Sequence, residues 1–432
     1  MTTNDHPRIF VSAGEASGDH YGAEIIRGLR ARLPQATFTG LGGAEMEAAG
    51  QQRVVRAEDV AHMGITEVLL HAPRVYASYR RLVGAIRQER PALAILIDFP
   101  DVNFRLAKHC KRLGVPVLWF VSPQLWAWKR KRLKWVQERV DRMLVIFPFE
   151  EAFYRARGVD ADFVGHPLGA MAMPVETREE YAARYQLDPA KQWIALLPGS
   201  RWKEIRSNLR LMIALAVAAA TPDDADFWDL FGMPGRPSDG FLDCEKYEFL
   251  LPVASTISAD QLEAEVTKCI SRFTSVSRST TPGIHLHLVP DARAALFHAR
   301  AAVVASGTAT VQALTIGNPF VVVYRVSPLT YRIAKRLVRY PAEIPAEVDA
   351  DGNLPIAMPN LIAGRRIVPE LINERFTGES VAAALRPLLE DGPERAKMMA
   401  DLSETRERLL AKGDGDPIGR VCDVAVGLMG SR

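Results

Sequence analysis

Acidic residues stand in two turns that follow apolar, strand-like runs in the first part of the chain. Asp98 and Asp101 lie in "IDFPDVNF", and Glu15 lies in "VSAGEASGDH". A carboxylate at the end of a strand can accept a proton from a substrate hydroxyl, or it can cap the helix that follows. We consider Asp98 a candidate general base, with capping as the open alternative, and we favour capping for Asp101.

Two glycine-rich turns, "LPGSRWKEI" and "ASGTATVQA", follow apolar runs in the second part of the chain. Amide groups at a helix N-terminus bind anions, and glycine lets the backbone approach a ligand closely. Arg201 can bind a phosphate with paired hydrogen bonds, although the Ser and Thr residues can equally be helix caps only. The pair of turns favours a nucleotide diphosphate site that contains Gly199, Ser200, Arg201, Ser306, Gly307, Thr308 and Thr310.

The turn "GEASGD" differs because it contains the carboxylates Glu15 and Asp19. Like charges about 4 Å apart repel by about 1 kcal/mol even in water, so a diphosphate is disfavoured there. We expect the acids of this turn to face hydroxyl groups. A dinucleotide-binding oxidoreductase is also disfavoured, because it needs GxGxxG at this point and an acidic residue after the second strand, where "FTGLGG" has none.

Strand-like runs alternate with helical stretches along the chain, which predicts parallel sheets covered by helices on both faces. The alternation stops at "PVETREEYAARYQLDPAKQ" and then restarts. We therefore predict an α/β fold with two Rossmann-like, doubly wound domains that face a cleft, at residues 1–170 and 185–397. A helical segment at about 398–432 is compatible with packing back on the first domain, and the Pro-, Gly- and Asp-rich stretch 221–246 is predicted to be an insertion.

The composition agrees with two globular domains. The 432 residues exceed the ~250–300 residues of a single hydrophobic core. A net charge of +3 does not indicate a nucleic-acid-binding protein. The four cysteines are scattered and the histidines lack ligand spacing, so we predict no disulfide framework and no metal site. Because no signal peptide and no apolar run of about 18 residues is readable, we expect a cytoplasmic protein, free or bound to a membrane surface.

A set of short motifs occurs in one order between Ala13 and Arg365: "AGEASGD", "MGITEVL", "IDFPDVNF", "VSPQLWAWKRKR", "FPFEEAFY", "VGHPL", "LPGSR", "ASGTAT" and "PNLIAGR". By these motifs the chain resembles the lipid-A-disaccharide synthase family, which are inverting glycosyltransferases of the two-Rossmann (GT-B) type. The resemblance implies that the 6-hydroxyl of 2,3-diacylglucosamine 1-phosphate attacks the anomeric carbon of UDP-2,3-diacylglucosamine. The implied products are UDP and the β-1,6-linked lipid A disaccharide 1-phosphate. No cofactor is implied, since helix amides and a basic side chain can offset the charge of the leaving group.

The resemblance also implies roles for single residues. Asp98 is the expected general base, Glu15 is expected to hold substrate hydroxyls, and Arg201 with the Ser306 to Thr310 turn is expected to bind the UDP phosphates. The family usually has Glu as a ribose hydroxyl acceptor where this chain has Gln312, which loses a charge-assisted hydrogen bond. Further expected substrate contacts are Gly14, Ser17, Gly199, Ser200, Ala309, Gln312, Asn360 and Arg365.

Two basic segments with apolar and aromatic residues, at 63–88 and 125–135, are typical of a surface that binds anionic membranes. They can equally be solvated helices with core tryptophans, and interleaved Trp and Arg also occur in single-stranded nucleic-acid sites. Because the implied substrates are acylated, we favour peripheral association with the inner face of the cytoplasmic membrane and no nucleic acid, and a homodimer is compatible with the sequence. The predicted contacts are Met63, Val68, Leu69, Trp126, Trp128 and Arg130.

Two alternative functions stay open at this point. One is another UDP-sugar enzyme of the same fold, such as a 2-epimerase or a transferase with a different acceptor. The other is a catalytically silent protein that binds lipid or nucleotide, and Gln312 is the residue that keeps this possibility open.

Overall fold

The computed structural model describes residues 6–61, 72–220, 245–254, 256–274, 284–411 and 415–430. Met63, Val68 and Leu69 lie outside the described residues, as does most of the predicted insertion at 221–246. The chain divides into two compact units. Unit 1 comprises Met1–Ala170, Val338–Glu343 and Leu409–Arg432, and unit 2 comprises Met171–Leu337 and Ile344–Arg408.

Unit 1 is built on a seven-stranded parallel sheet with the strand order β3-β2-β1-β4-β5-β6-β7. Its strands are β1 (Arg8–Ala13), β2 (Thr37–Gly42), β3 (Gln51–Arg56), β4 (Leu93–Ile97), β5 (Val117–Phe120), β6 (Arg142–Val145) and β7 (Ala161–Phe163). Its helices are α1 (Ala16–Arg32), α2 (Ala44–Ala48), α3 (Glu58–Ala61), α4 (Ala72–Glu89), α5 (Pro100–Arg112), α6 (Leu133–Arg139), α7 (Pro148–Arg155), α8 (Pro167–Ala170) and the last helix of the chain (Pro417–Gly430).

Unit 2 is built on a six-stranded parallel sheet with the strand order β10-β9-β8-β11-β12-β13. Its strands are β8 (Gln192–Leu197), β9 (Tyr247–Pro252), β10 (Leu286–Val289), β11 (Ala301–Ala305), β12 (Phe320–Tyr324) and β13 (Glu370–Ile372). Its helices are α9 (Arg178–Tyr185), α10 (Trp202–Ala220), α11 (Ala259–Thr274), α12 (Ala292–His298), α13 (Thr308–Ile316), α14 (Pro328–Leu337), α15 (Met358–Ala363), α16 (Gly378–Leu389) and α17 (Pro393–Glu407). The helix Pro417–Gly430 of unit 1 follows these helices in the chain and is numbered α18.

The strands read as apolar runs because helices cover both faces of each sheet. All five residues of β4 and all five of β11 are buried. Helix α18 packs on α1, where Arg32 Nε donates to Asp423 at 2.9 Å and a Cβ built on Gly28 would lie 2.8 Å from Cys422 Sγ. The C-terminal helix α18 is thus part of unit 1, which also contains β1 and α1.

Each sheet has one topological switch point, where the strand order reverses its direction. In unit 1 this point lies between β1 and β4, and in unit 2 it lies between β8 and β11. Doubly wound folds bind ligands outside the carboxyl ends of the strands at such a point. The turns "GEASGD" and "IDFPD" follow β1 and β4, and "LPGSR" and "ASGTAT" follow β8 and β11. The motifs singled out in the sequence therefore lie at the ligand-binding edges of the two sheets.

Candidate functional site

The carboxyl ends of β1, β4 and β5 are neighbours in unit 1. Ala13 pairs with Ile97, and Ile97 pairs with Phe120. The backbone amide of Asp98 donates to the carbonyl oxygen of Phe120 at 3.0 Å. The sheet thus brings the turn with Glu15 next to the turn with Asp98.

Gly14 lies beneath the aromatic ring of Phe99. A Cβ built on Gly14 would be 2.5 Å from Cγ and Cδ1 of that ring, so no larger residue fits without moving it. Glu15 follows at the N-cap position of α1, is half-buried and does not cap the helix, while Ser17 is exposed. Gly14 therefore lets the two turns pack together. Glu15 and Ser17 are the polar residues of this turn that stay accessible.

The backbone is left-handed at two successive residues where β4 ends. The angle φ is 42° at Asp98 and 48° at Phe99. Side-chain-bearing residues rarely adopt this conformation, and such residues cluster at functional sites. Asp101 is exposed and accepts a hydrogen bond from Arg132 Nη2 at 2.5 Å, whereas the N-cap of α5 is Phe99. The expectation that Asp101 caps this helix is therefore wrong.

The carboxylate of Asp19 forms hydrogen bonds in the interior of unit 1. Asp19 is buried, and its carboxylate accepts hydrogen bonds from the backbone amides of Gly43, Glu45 and Met46 at 2.7, 3.0 and 3.2 Å. These amides stand at the start of α2, where a carboxylate satisfies donors that have no partner within the helix. Our expectation that both acids of the first turn face hydroxyl groups is thus corrected, and Glu15 is the acid that stays a candidate.

The loop after β5 packs on a buried polar cluster that the local sequence pattern does not indicate. Trp126 is only 1% exposed, donates from Nε1 to Glu150 Oε1 at 3.1 Å and packs edge to face on Phe149. Burial raises the pKa of Glu150 to about 8. The hydroxyls of Ser122 and Tyr154 form a hydrogen bond of 2.8 Å in the same region. Trp126 is therefore a core residue, which corrects its assignment to membrane contact.

Other residues of the "LWAWKRKRLKW" segment lie on the surface. Trp128 is 53% exposed, with the Lys129 ammonium 4.2 Å from its ring centroid. Arg130 is exposed and donates to the carbonyl oxygen of Trp126 at 3.2 Å and to that of Arg339. An aromatic ring beside several cations therefore faces outward at this point.

The turn after β8 contacts a carboxylate that is not among the predicted site residues. Glu204, in the first turn of α10, accepts a hydrogen bond from the backbone amide of Ser200 at 3.2 Å. Gly199 has φ 129°, and a Cβ built on it would lie 2.7 Å from Glu204. Arg201 is 65% exposed at its side chain and lies 3.8 Å from Glu204. An acid in the first turn of a helix is the sequence signal that points to such an amide contact.

The turn after β11 leads into an open helix N-terminus. Gly307 is the N-cap of α13 with φ 147°, and a Cβ built on it would meet no atom of the described residues within 4 Å. Thr308 is exposed, and Ser306 and Ala309 are half-buried. Thr310 is fully buried and donates its hydroxyl to the carbonyl oxygen of Gly307 at 2.7 Å. Thr310 therefore stabilises the turn, and the open side is lined by backbone at the positive end of a helix, which favours an anion.

The "PNLIAGR" motif forms hydrogen bonds within unit 2 through Asn360. Asn360 is fully buried, its Nδ2 donates to Glu370 Oε1 at 2.8 Å, and its Oδ1 accepts from the amides of Ile367 and Val368 at 2.7 and 3.0 Å. The carboxamide of Asn360 thus forms its hydrogen bonds within unit 2, and the residue is not on the surface. Its expected substrate contact is corrected to a structural role.

Arg365 and Gln312 lie outside this buried core. Arg365 donates to Asp401 at 2.8 Å and to Glu404 at 3.3 Å, and the bond to Asp401 raises the pKa of Arg365. Gln312 is half-buried on α13, one turn after the open N-terminus. Arg365 is therefore paired with α17, while Gln312 lies on the helix that begins at the candidate anion site.

The sequence of the chain is similar to known sequences over most of its length. The family described as lipid-A-disaccharide synthetase matches residues 9–224 and 258–415. A lipid-A-disaccharide synthase of Acidobacterium capsulatum is 50% identical over 421 residues, which cover 97% of this chain and 96% of that protein. One from Koribacter versatilis is 44% identical over 93% of each chain.

Solved structures resemble the chain in fold. The glycotransferase of kitacinnamycin superposes with a TM-score of 0.58 at 14% sequence identity and covers 98% of this chain and 99% of its own. At this identity the likeness concerns the fold alone. Together with the two doubly wound parallel sheets, it confirms the predicted GT-B fold class.

Proposed function

The chain belongs to the lipid-A-disaccharide synthase family, and on this premise we propose which turns hold its substrates. It is a glycosyltransferase that forms the lipid A disaccharide from UDP-sugar and lipid substrates. We assign the acceptor and the chemistry to the strand ends of unit 1, and UDP to those of unit 2. This assignment rests on a contrast between the two switch points. The switch point of unit 1 has the carboxylates Glu15 and Asp98, whereas that of unit 2 has the open N-terminus of α13.

In the proposed reaction, the 6-hydroxyl of 2,3-diacylglucosamine 1-phosphate attacks the anomeric carbon of UDP-2,3-diacylglucosamine. A bond forms between this oxygen and the anomeric carbon while the bond from that carbon to the diphosphate oxygen breaks, so the configuration inverts. The hydroxyl proton passes to a base of the protein, and the electron pair of the broken bond leaves with UDP.

Asp98 is the proposed base. It is half-buried at the end of β4, in a left-handed turn whose amide is held by β5. A carboxylate with a defined backbone position can take the proton as the new bond forms. Glu15, at the neighbouring turn, is proposed to accept hydrogen bonds from sugar hydroxyls and so to orient the acceptor.

The UDP diphosphate is proposed to bind at the N-terminus of α13. The open backbone at Gly307 and the hydroxyls of Ser306 and Thr308 offer donors there, and the exposed Arg201 supplies a positive charge. These groups would also stabilise the charge that develops on UDP as it leaves. Gln312 is proposed to accept a ribose hydroxyl through its amide oxygen.

The test is an assay of the purified chain with both substrates, in which UDP and the disaccharide are quantified. We expect the two products in equal amounts, and neither product when the acceptor is omitted, because the acceptor hydroxyl is the nucleophile. UDP release without acceptor would contradict the synthase function. Donor binding without turnover would instead support a silent binding protein.

We further propose peripheral association with the inner, cytoplasmic face of the cytoplasmic membrane, where acylated substrates reside. None of the helices in the described residues is long and apolar enough to cross a bilayer. Two exposed surfaces support the proposal: the region around Trp128 in unit 1 and α14 in unit 2. Leu329, Ile333 and Leu337 are 63%, 47% and 70% exposed on α14, which also carries Arg332, Lys335 and Arg336 and no acidic residue. Aliphatic side chains beside cations are typical of helices that lie on anionic lipid.

Replacement of Leu329, Ile333 and Leu337 together by Ser is expected to weaken binding to vesicles with anionic headgroups by at least about tenfold, because three apolar side chains no longer leave water. Vesicle sedimentation measures this change. The control replaces Met171, Val175 and Met399, which are also exposed apolar residues of unit 2, by Ser. Equal loss in both variants, or no loss in the α14 variant, would refute a role of α14 in membrane binding.

A further inference from the structure

The turn that carries Asp98 is held by polar contacts from two sides. Both Asp98 and Phe99 have a left-handed backbone, which side-chain-bearing residues keep only where surrounding contacts impose it. The amide of Asp98 donates to the carbonyl oxygen of Phe120. The carbonyl oxygen of Asp98 accepts from Nδ2 of Asn103 at 2.8 Å. The backbone that bears this carboxylate is thus fixed through its amide and through its carbonyl group.

Asn103 connects this turn to the end of β1. Its Nδ2 also lies 3.2 Å from the carbonyl oxygen of Ile97 and 3.4 Å from that of Ser12, and its Oδ1 accepts the Ser12 hydroxyl at 2.7 Å. Both Asn103 and Ser12 are fully buried. The side chain of Asn103 therefore joins the two strands of the switch point directly beneath the turns with Glu15 and Asp98.

A packing contact completes this connection. The ring of Phe99 lies against Gly14, and the carbonyl oxygen of Phe99 accepts from the backbone amide of Asn103 at 3.1 Å. A change of backbone angle at Asp98 would therefore move Phe99 on Gly14 and break the hydrogen bonds to Asn103. The two turns behave as one unit whose polar centre is Asn103.

We propose that Asn103 is a positioning residue, which sets the orientation of the Asp98 carboxylate for proton transfer through its hydrogen bonds to the ends of β4 and β1. This inference rests on the proposed function of Asp98 as base. Because Asn103 is fully buried, it acts through Asp98 and does not touch substrate. A carboxamide suits this place because it donates to backbone carbonyls and accepts from a hydroxyl at once, which neither an aliphatic residue nor a carboxylate can do.

The test compares Asn103→Ala and Asn103→Leu, in which the new side chain is close to Asn in size, with the wild type in the two-substrate assay. Both variants lose the donor to the carbonyl oxygen of Asp98, so we expect kcat to fall by about 10²-fold while the donor KM changes by less than about threefold. A role in packing alone predicts that Asn103→Leu, which is close to Asn in size but has no donor, keeps the kcat of the wild type. That result would overturn the proposal.

Asn318 offers a matched control for the loss of a structural carboxamide. Its Nδ2 lies within 3.0 Å of the carbonyl oxygens of Leu296, Phe297 and Ala299, at the amino-terminal edge of the sheet in unit 2. We expect Asn318→Ala to lower the melting temperature without changing kcat of the folded enzyme. If the Asn103 variants do not fold, Ser12→Ala removes the hydroxyl that orients the Asn103 carboxamide, and we expect a smaller fall in kcat with the same donor KM. An unchanged kcat in folded Ser12→Ala, or an equal fall in Asn318→Ala, would overturn the proposal.

A double variant separates this inference from the proposed function. If Asn103 acts through Asp98, adding Asn103→Ala to Asp98→Asn lowers kcat no further, because the carboxylate to be positioned is already gone. Additive losses would overturn the positioning role and leave Asp98 as base. Full activity in Asp98→Asn itself would instead refute the proposed base, whatever the Asn103 variants do.

Discussion

Replacement of Asp98 by Asn is expected to lower kcat by about 10²–10⁴-fold, the usual contribution of a general base. Asn has nearly the shape of Asp and tolerates the left-handed backbone found at this position, so the turn should keep its structure. The amide cannot take the proton of the acceptor hydroxyl. Donor affinity should change by less than about twofold, since we assign UDP to unit 2. Steady-state kinetics with a separate UDP-binding measurement distinguishes the two effects.

Asp101→Asn provides the control for this variant. Asp101 lies three residues further along the chain, but its side chain is 71% exposed and is paired with Arg132. An exposed ion pair contributes little to stability, so we expect this variant to keep the kcat of the wild type within about twofold. Normal turnover in Asp98→Asn, or equal losses in both variants, would refute the assignment of Asp98 as base.

Replacement of Gly307 by Ala is expected to lower the affinity for the donor by about 10–100-fold. The new Cβ would occupy the open space at the start of α13, where we place the diphosphate, and φ of 147° is unfavourable for alanine. Because the change affects donor binding, we expect the KM for the donor to rise and the KM for the acceptor to stay close to that of the wild type. Calorimetric titration with UDP measures the effect directly.

Gly317, at the other end of the same helix, is the matched control. It also has a positive φ, 89°, and a Cβ built there also meets no described atom within 4 Å. Both variants should lose about 1–3 kcal/mol of unfolding free energy from backbone strain, but Gly317→Ala should bind UDP as the wild type does. A loss of UDP affinity common to both variants would indicate general destabilisation and would refute a specific anion site at Gly307.

The positions of the chemical motifs could be predicted from the sequence because they follow from local patterns. Apolar runs that alternate with helical stretches identify the strands, and a turn directly after an apolar run must lie at the carboxyl end of a strand. Glu15, Asp98, Gly199 and Gly307 all lie in such turns. Each could be placed at a sheet edge without knowledge of its neighbours.

The partners of polar side chains could not be predicted in this way. Asp19 contacts amides of α2, which are 24–27 residues further along the chain, and Ser12 and Asn103 are 91 residues apart. Trp126 was assigned to the surface because it stands among cations, yet it packs in the core with Glu150. Local composition does not reveal which side of a loop faces the interior, since this depends on elements distant in sequence.

The sequence by itself determined the α/β class, the two series of strands, the family and the turns in which the chemistry is proposed to occur. These features depend on hydrophobic periodicity and on short motifs, which are local. Only the tertiary structure decided which residues of those motifs are accessible to a ligand and which are buried and hydrogen-bonded within the protein. Asp19, Thr310 and Asn360 are buried and hydrogen-bonded, whereas Glu15 and Asp98 stay partly exposed. The physical reason is that burial removes a polar group from water and requires a partner for it, and that partner is supplied by distant segments.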